Sequence, residues 1–212
     1  MNGSSIDERT MRFIVDHRTP VLDDVALVLM HVGQSDISSV VVVLATLAVT
    51  VRTRRWSWGI GVCIAAVGAL VVAKVGKLLI QRPRPPVADA MVVAHGWSMP
   101  SSVAVLCAAM AVAAVVGWTD PQPGGRRRGA IAVTVLALIF GWAVMYLGAH
   151  WLTDVLVGWA LGALVGLAAV PLGRWVATLL QRWVPGIFRW LDRFGQPVRV
   201  GRSDAVVDAE QA

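Results

Sequence analysis

Apolar and polar positions alternate along this chain in blocks far longer than a soluble core requires. Residues 5–18 mix charges with spaced apolar side chains (Ile6, Met11, Phe13, Ile14), and predict a short amphipathic helix at a membrane surface. Pro20 suits the first position of the next helix, about 20–33, which is short for a span and carries Asp23 and Asp24. Longer apolar blocks follow at about 37–52, 57–80, 100–118, 129–148 and 152–173, close to the ~20 residues that cross a hydrocarbon core as helix. From Arg174 to Phe194, Trp and Arg recur among aliphatics as in an interfacial helix, and the polar stretch beyond Gly195 predicts a disordered tail. The pattern predicts an all-α, polytopic membrane bundle of about six transmembrane helices with amphipathic terminal helices. Its expected parts are an N-terminal interfacial helix (1–19), a membrane helical domain (20–175), and a cytoplasmic helix and tail (176–212).

Composition agrees. The 212 residues are 57% hydrophobic and 15% charged, with a mean hydropathy of +0.67, whereas soluble domains carry about 25% charged residues. The net charge of +6 therefore points to no nucleic acid: the basic residues sit mainly between spans and near the C-terminus, where they set topology and meet lipid headgroups. Cys63 and Cys107 lie inside apolar blocks and read as packing. Trp97, Trp118, Trp151, Trp175 and Trp190 fall near block boundaries, as interfacial anchors do.

The loops give orientation. Arg52, Arg54 and Arg55, then Arg126 to Arg128, then Arg174, Arg182, Arg189 and Arg193 fall on one side if the spans alternate, and the positive-inside bias makes that side cytoplasmic. The N-terminus is expected on the same side if residues 20–33 cross. The opposite, extracytoplasmic face of the cell membrane then collects Lys77, Arg84, Ser101, His150 and Asp154.

Each group has an ordinary structural role and a chemical one. Lys77, a turn from the end of its span, is placed to snorkel to headgroups. Arg82 and Arg84 alternate with Pro83, Pro85 and Pro86 in a stiff segment, and a rigid guanidinium fork suits phosphate. Ser101 and Ser102 open a helix, where unpaired N–H groups favour an anion and where serine also serves as a plain cap. His150 and Asp154 share a helix face at i,i+4; a carboxylate accepting from one imidazole nitrogen leaves the other aimed outward as a nucleophile or base.

With these residues in view, the chain resembles the type-2 phosphatidic acid phosphatase and vanadium haloperoxidase superfamily in its bacterial membrane branch. That family shows Lys, six residues, then Arg-Pro; then Pro-Ser-Gly-His; then Ser-Arg, five residues, His, three residues, Asp. Lys77 to Arg84-Pro85 fits the first element completely, and order, spacing and span layout fit from about residue 20 to 175. The resemblance implies that His150 attacks phosphorus to form a phosphohistidine with Asp154 orienting it. It implies that Lys77 and Arg84 bind phosphate oxygens, helped by Ser101 and the main chain near Ser102, with no metal and no cofactor. Two elements depart: Ser102-Val103 stands for Gly-His, removing the expected general acid, and Ala143-Val144 stands for Ser-Arg, removing a third phosphate-binding cation. His95 in the same outer loop is a candidate substitute proton donor, and Arg82 a further phosphate contact. The expected ligand is a phosphorylated lipid, with any surviving hydrolysis favouring lipid or polyprenyl diphosphates. The alternatives are a catalytically silent relative that binds or helps move such a lipid or serves as a partner subunit, and a purely structural membrane protein.

Overall fold

The computed structural model describes residues 5–34, 36–118, 123–184 and 186. All regular structure among them is helical: α1 (Ile6–Asp16), α2 (Pro20–Gln34), α3 (Asp36–Thr53), α4 (Trp56–Ile80), α5 (Ser102–Gly117), α6 (Pro123–Tyr146) and α7 (Leu152–Trp183), with a 3-10 turn at Val87–Asp89. Three are long and apolar enough to cross a membrane over Trp56–Ile80, Arg127–Tyr146 and Leu152–Trp183, while Val40–Thr53 and Ser102–Gly117 are shorter apolar segments. The protein is a membrane helical bundle, as the hydrophobic blocks predict.

Its centre is α4, α5 and α7, packed through small residues. Lipid tails are as apolar as leucine, so helices in a bilayer gain from close van der Waals approach. On α7, Gly158, Gly162 and Gly166 are buried at intervals of four. A Cβ on Gly162 would lie 2.3 Å from the Val105 carbonyl oxygen, and one on Gly166 would lie 2.5 Å from that of Ala109. On α4, Gly61, Ala65, Ala69 and Ala73 form the matching stripe, and a Cβ on Gly173 would lie only 2.6 Å from the Gly61 backbone. Because a carbonyl cannot yield as a side chain does, Gly162→Ala is expected to lower stability by about 1–3 kcal/mol. Gly129, with nothing within 4 Å of its Cβ direction, is the control. Equal melting temperatures for both variants in detergent would refute the packing account.

The two ends of the bundle differ. At one end the exit of α4, the 81–101 segment, the start of α5, the 146–151 turn and the start of α7 converge. Gln81 ends α4 in the left-handed conformation (φ 49) with its N–H on the Lys77 carbonyl, and Pro83 cannot resume the helix. Gly148 (φ 72) lets the Asp89–Ala90 backbone come to where a Cβ would sit 2.7 Å away. At the other end Arg54, Arg55 and Arg174 line a common cavity, and Arg55 stacks on Trp118.

The sequence expects α1 beside the arginine clusters only if residues 20–33 cross. α1 does not share an end with the arginine clusters; it sits at the end that holds His150. Asp7 pairs with Arg82, and Arg18 donates to the carbonyls of Asp89 (2.7 Å) and Tyr146 (2.8 Å). α2 starts there too, with the Tyr146 hydroxyl on Asp23 at 2.6 Å, whereas α3 ends beside Gly59 at the opposite end. Thus α2 and α3 run in series from the His150 end of the bundle to the arginine end. The start of α1 and the end of α7 therefore lie at opposite ends of the bundle. The buried ion pair of Asp7 with Arg82 holds the start of α1 at the His150 end. A second difference is that α7 continues as one helix through Pro171 and the expected boundary near 173–175, reaching Trp183. The rest of the expected interfacial helix and the polar tail lie outside the described residues.

Candidate active site

The turn between α6 and α7 presents the histidine. Leu147, Gly148 and His150 N–H groups return to the carbonyls of Ala143 (3.0 Å), Met145 (2.9 Å) and Val144 (3.2 Å), so the chain reverses within a few residues. His150 is only 6% exposed and Asp154, in the first turn of α7, is fully buried.

Asp154 is held on both oxygens. Oδ1 accepts from Arg82 Nη1 at 2.8 Å. Oδ2 accepts from the Trp151 N–H at 2.9 Å and from the Ser98 hydroxyl. A carboxylate at a helix N-terminus also gains from the dipole. Imidazole Nδ1 of His150 lies 3.5 Å from Oδ2, an ion-pair contact longer than a full hydrogen bond. Its Nε2 faces away, 3.4 Å from Arg84 Nη1. Burial pushes the His150 pKa down; Asp154 opposes this, and the Arg84 and Lys77 charges add to it. The neutral imidazole, with a lone pair at Nε2, is the favoured form.

Lys77 and Arg84 are both tied to the 95–98 segment, and both charges act on the His150 ring. Lys77 Nζ donates to the carbonyls of Trp97 (2.8 Å) and Ser98 (3.2 Å). Arg84 donates from Nε to Gly96 (3.0 Å), from Nη2 to His95 (3.0 Å) and from Nη1 to Ala149 (2.6 Å), all carbonyl oxygens. Gly96 takes a left-handed φ of 72 to make the bend. Two cations, a neutral imidazole and a carboxylate behind it form an arrangement suited to receive a phosphoryl group.

The remaining candidates are placed differently. Arg82 turns away from this pocket: its donors go to Asp7 at 2.5 Å, Asp154 at 2.8 Å and the Thr153 hydroxyl at 2.6 Å. It therefore orients a carboxylate and is not presented to phosphate. Ser101 is fully buried and caps α5, accepting from the Ala104 N–H, while its own N–H meets the Asp154 carbonyl at 3.1 Å. That is the ordinary capping role. Ser102 is half-buried as the first residue of α5. His95 is exposed, and it is its carbonyl that touches Arg84. Val103 and Val144 meet in one apolar cluster with Ala104, Val155, Met145 and Trp159.

Three participants escaped the sequence reading: Ser98, Thr153 and Asp7. Ser98 stands three residues before Ser101, and Thr153 beside Asp154. An acidic residue in the first turn of an amphipathic helix looks like a dipole partner, so Asp7 carried no distinguishing signal.

The sequence profile of the PAP2 superfamily matches residues 56–177, more than half of the chain and the whole of this site except α1. The protein belongs to the PAP2 superfamily. Two solved structures share its fold. One is the first transmembrane PAP2-type phosphatidylglycerolphosphate phosphatase from Bacillus subtilis, at 25% identity over 84% of this chain and 87% of that one, TM-score 0.68. The other is LpxE of Aquifex aeolicus, at 18% identity over 81% and 98% of the two chains, TM-score 0.67. Among curated proteins no significant match was found. The fold is thus that of a PAP2-type, phosphatase-like membrane protein.

Proposed function

We propose that this protein hydrolyses a phosphorylated membrane lipid at His150 through a phosphohistidine. The arrangement of His150 carries the reading: Nδ1 is turned to Asp154, and Nε2 to Arg84, with Lys77 near enough to act on the ring. The lone pair of Nε2 forms the bond to phosphorus as the bond from phosphorus to the leaving oxygen breaks and that oxygen takes the electron pair. Lys77 and Arg84 offset the charge on the remaining phosphate oxygens. Nδ1–H meets Asp154, which stabilises the cationic ring. Water then attacks phosphorus, releasing inorganic phosphate and the free imidazole. The phosphatidylglycerolphosphate phosphatase among its structural relatives supports a lipid phosphate as substrate.

Val103 offers no proton to the leaving group, so the substrate must supply a stable leaving anion. General acid catalysis contributes about 10²–10⁴-fold. An alkoxide suffers from that loss far more than a phosphate leaving group does, which favours lipid or polyprenyl diphosphates over monophosphates. The apolar cluster at Val103 and Val144 supports a second reading, a silent relative that binds or helps translocate a phosphorylated lipid. The basic cavity at the opposite end supports a cytoplasmic location for that end, and an extracytoplasmic site shared with α1.

Phosphate release from a panel of lipid mono- and diphosphates, compared with His150→Ala, tests the reading; equal rates in both proteins would leave only the silent binder. Acidity gives a second check. The folded His150 pKa lies below the ordinary 6.5, so the neutral nucleophile persists as pH falls and is lost only below that value. For kcat/KM, which reports the free enzyme, the acid limb is expected below pH 6.5, and a midpoint at or above it would count against His150 as the titrating group.

A further inference from the structure

We propose that Asp7 of α1 is a positioning residue for this site, acting through Arg82 and the first turn of α7 on Asp154. The inference rests on the reading of His150 as nucleophile. The Arg82 guanidinium bridges the two carboxylates, at 2.5 Å to Asp7 Oδ2 and 2.8 Å to Asp154 Oδ1. Thr153 closes the ring: its hydroxyl lies 2.6 Å from Asp7 Oδ2 and 2.6 Å from Arg82 Nη1. Its main-chain N–H donates to Asp7 Oδ1 at 2.9 Å.

Thr153 N–H is one of the first-turn donors that a helix cannot satisfy internally, and the residue before α7, Trp151, offers no side-chain cap. Asp7 therefore caps α7 from another helix. Asp7 is 5% exposed, and a carboxylate leaves water at that depth only when paired and hydrogen-bonded. Burial alone would raise its pKa, but the bonds from Arg82 and Thr153 prevail and hold it below the usual carboxylate value. Met11, one turn along α1, is buried on the same face, so α1 is docked through this pair of positions. Asp154 has Oδ2 turned to His150 and held by Trp151 N–H and the Ser98 hydroxyl, and the second constraint on its carboxyl plane is what grips Oδ1. That grip is Arg82, and Arg82 is itself anchored by Asp7. Asp7 lies outside residues 56–177 matched by the family profile, so this anchor belongs to the chain's own N-terminal helix.

The test compares wild type, Asp7→Asn, Thr153→Val and His150→Ala in detergent or nanodiscs with a lipid diphosphate substrate. Asp7→Asn is expected to lose kcat by about 10–100-fold, the range for partners that orient a functional ligand, with KM unchanged. Thr153→Val, which removes the hydroxyl shared by both ions, is expected to lose kcat in the same direction without a change in KM, and it carries the test if Asp7→Asn does not fold. Calorimetric titration with orthovanadate, whose adducts imitate the five-coordinate phosphorus, reads the geometry without turnover; roughly tenfold weaker binding is expected in both variants. Wild-type kcat and wild-type vanadate affinity in folded Asp7→Asn, or in Thr153→Val when the first does not fold, would overturn the positioning role. So would a raised KM with kcat retained. If neither phosphate release nor vanadate binding depends on His150, it is the reading of the site that falls.

Discussion

His150→Ala is expected to lower phosphate release from the preferred lipid diphosphate by roughly 10⁴-fold or more, the scale seen when a covalent nucleophile is removed. The loss concerns bond formation alone. Lys77 and Arg84 are tied to carbonyls of the 95–98 segment and Ala149, and Asp154 to Ser98, Trp151 and Arg82. None of these contacts involves the imidazole, so substrate binding is expected to survive the change. Lys77→Ala and Arg84→Ala should do the reverse, weakening retention of a lipid phosphate. If His150→Ala matches wild type while those two variants lose lipid, the chain is a binder without turnover.

Val103→His is expected to raise hydrolysis of lipid monophosphates by about 10²–10⁴-fold, the contribution of a placed general acid, and to change diphosphate hydrolysis much less. Val103 is half-buried in the first turn of α5, beside Ser102. The companion change is not equivalent. Val144 is 4% exposed and enclosed with Ala104 and Val155, so Val144→Arg would bury a guanidinium without a partner at a cost of several kcal/mol. It is expected to impair folding before it can aid catalysis. Parallel rates on a mono- and a diphosphate of the same lipid decide the matter. No selective gain on the monophosphate would show that leaving-group protonation is not what the wild-type site lacks.

The spans were legible because hydrophobic blocks register directly in sequence, and Pro20, Gln81-Arg-Pro83 and Gly117 stand at or beside real helix boundaries. Lys77, Arg84, His150 and Asp154 were legible as one group because alternation carries them to one end. What escaped was long-range pairing. Asp7 lies 75 residues from Arg82 and 146 from Thr153, and no local pattern announces such partners. The same gap left the placement of α1 open, since loop arginines report where segments end but not whether a 15-residue helix returns the chain. Arg82 shows the converse: its position beside Arg84 suggested phosphate, yet two carboxylates claim it. The glycines at 158, 162 and 166 were readable as a small-residue seam, and the reading passed over them.

Lys77 and Arg84 meet an arriving anion with their donors already engaged by neutral amide oxygens. On the proposed function, ligand capture would be an exchange, in which a headgroup gains only the margin between an anionic acceptor and a neutral one. That margin grows with the valence of the guest. On that reading, the resting pocket would discriminate by charge density and favour terminal phosphates over zwitterionic and singly charged lipids.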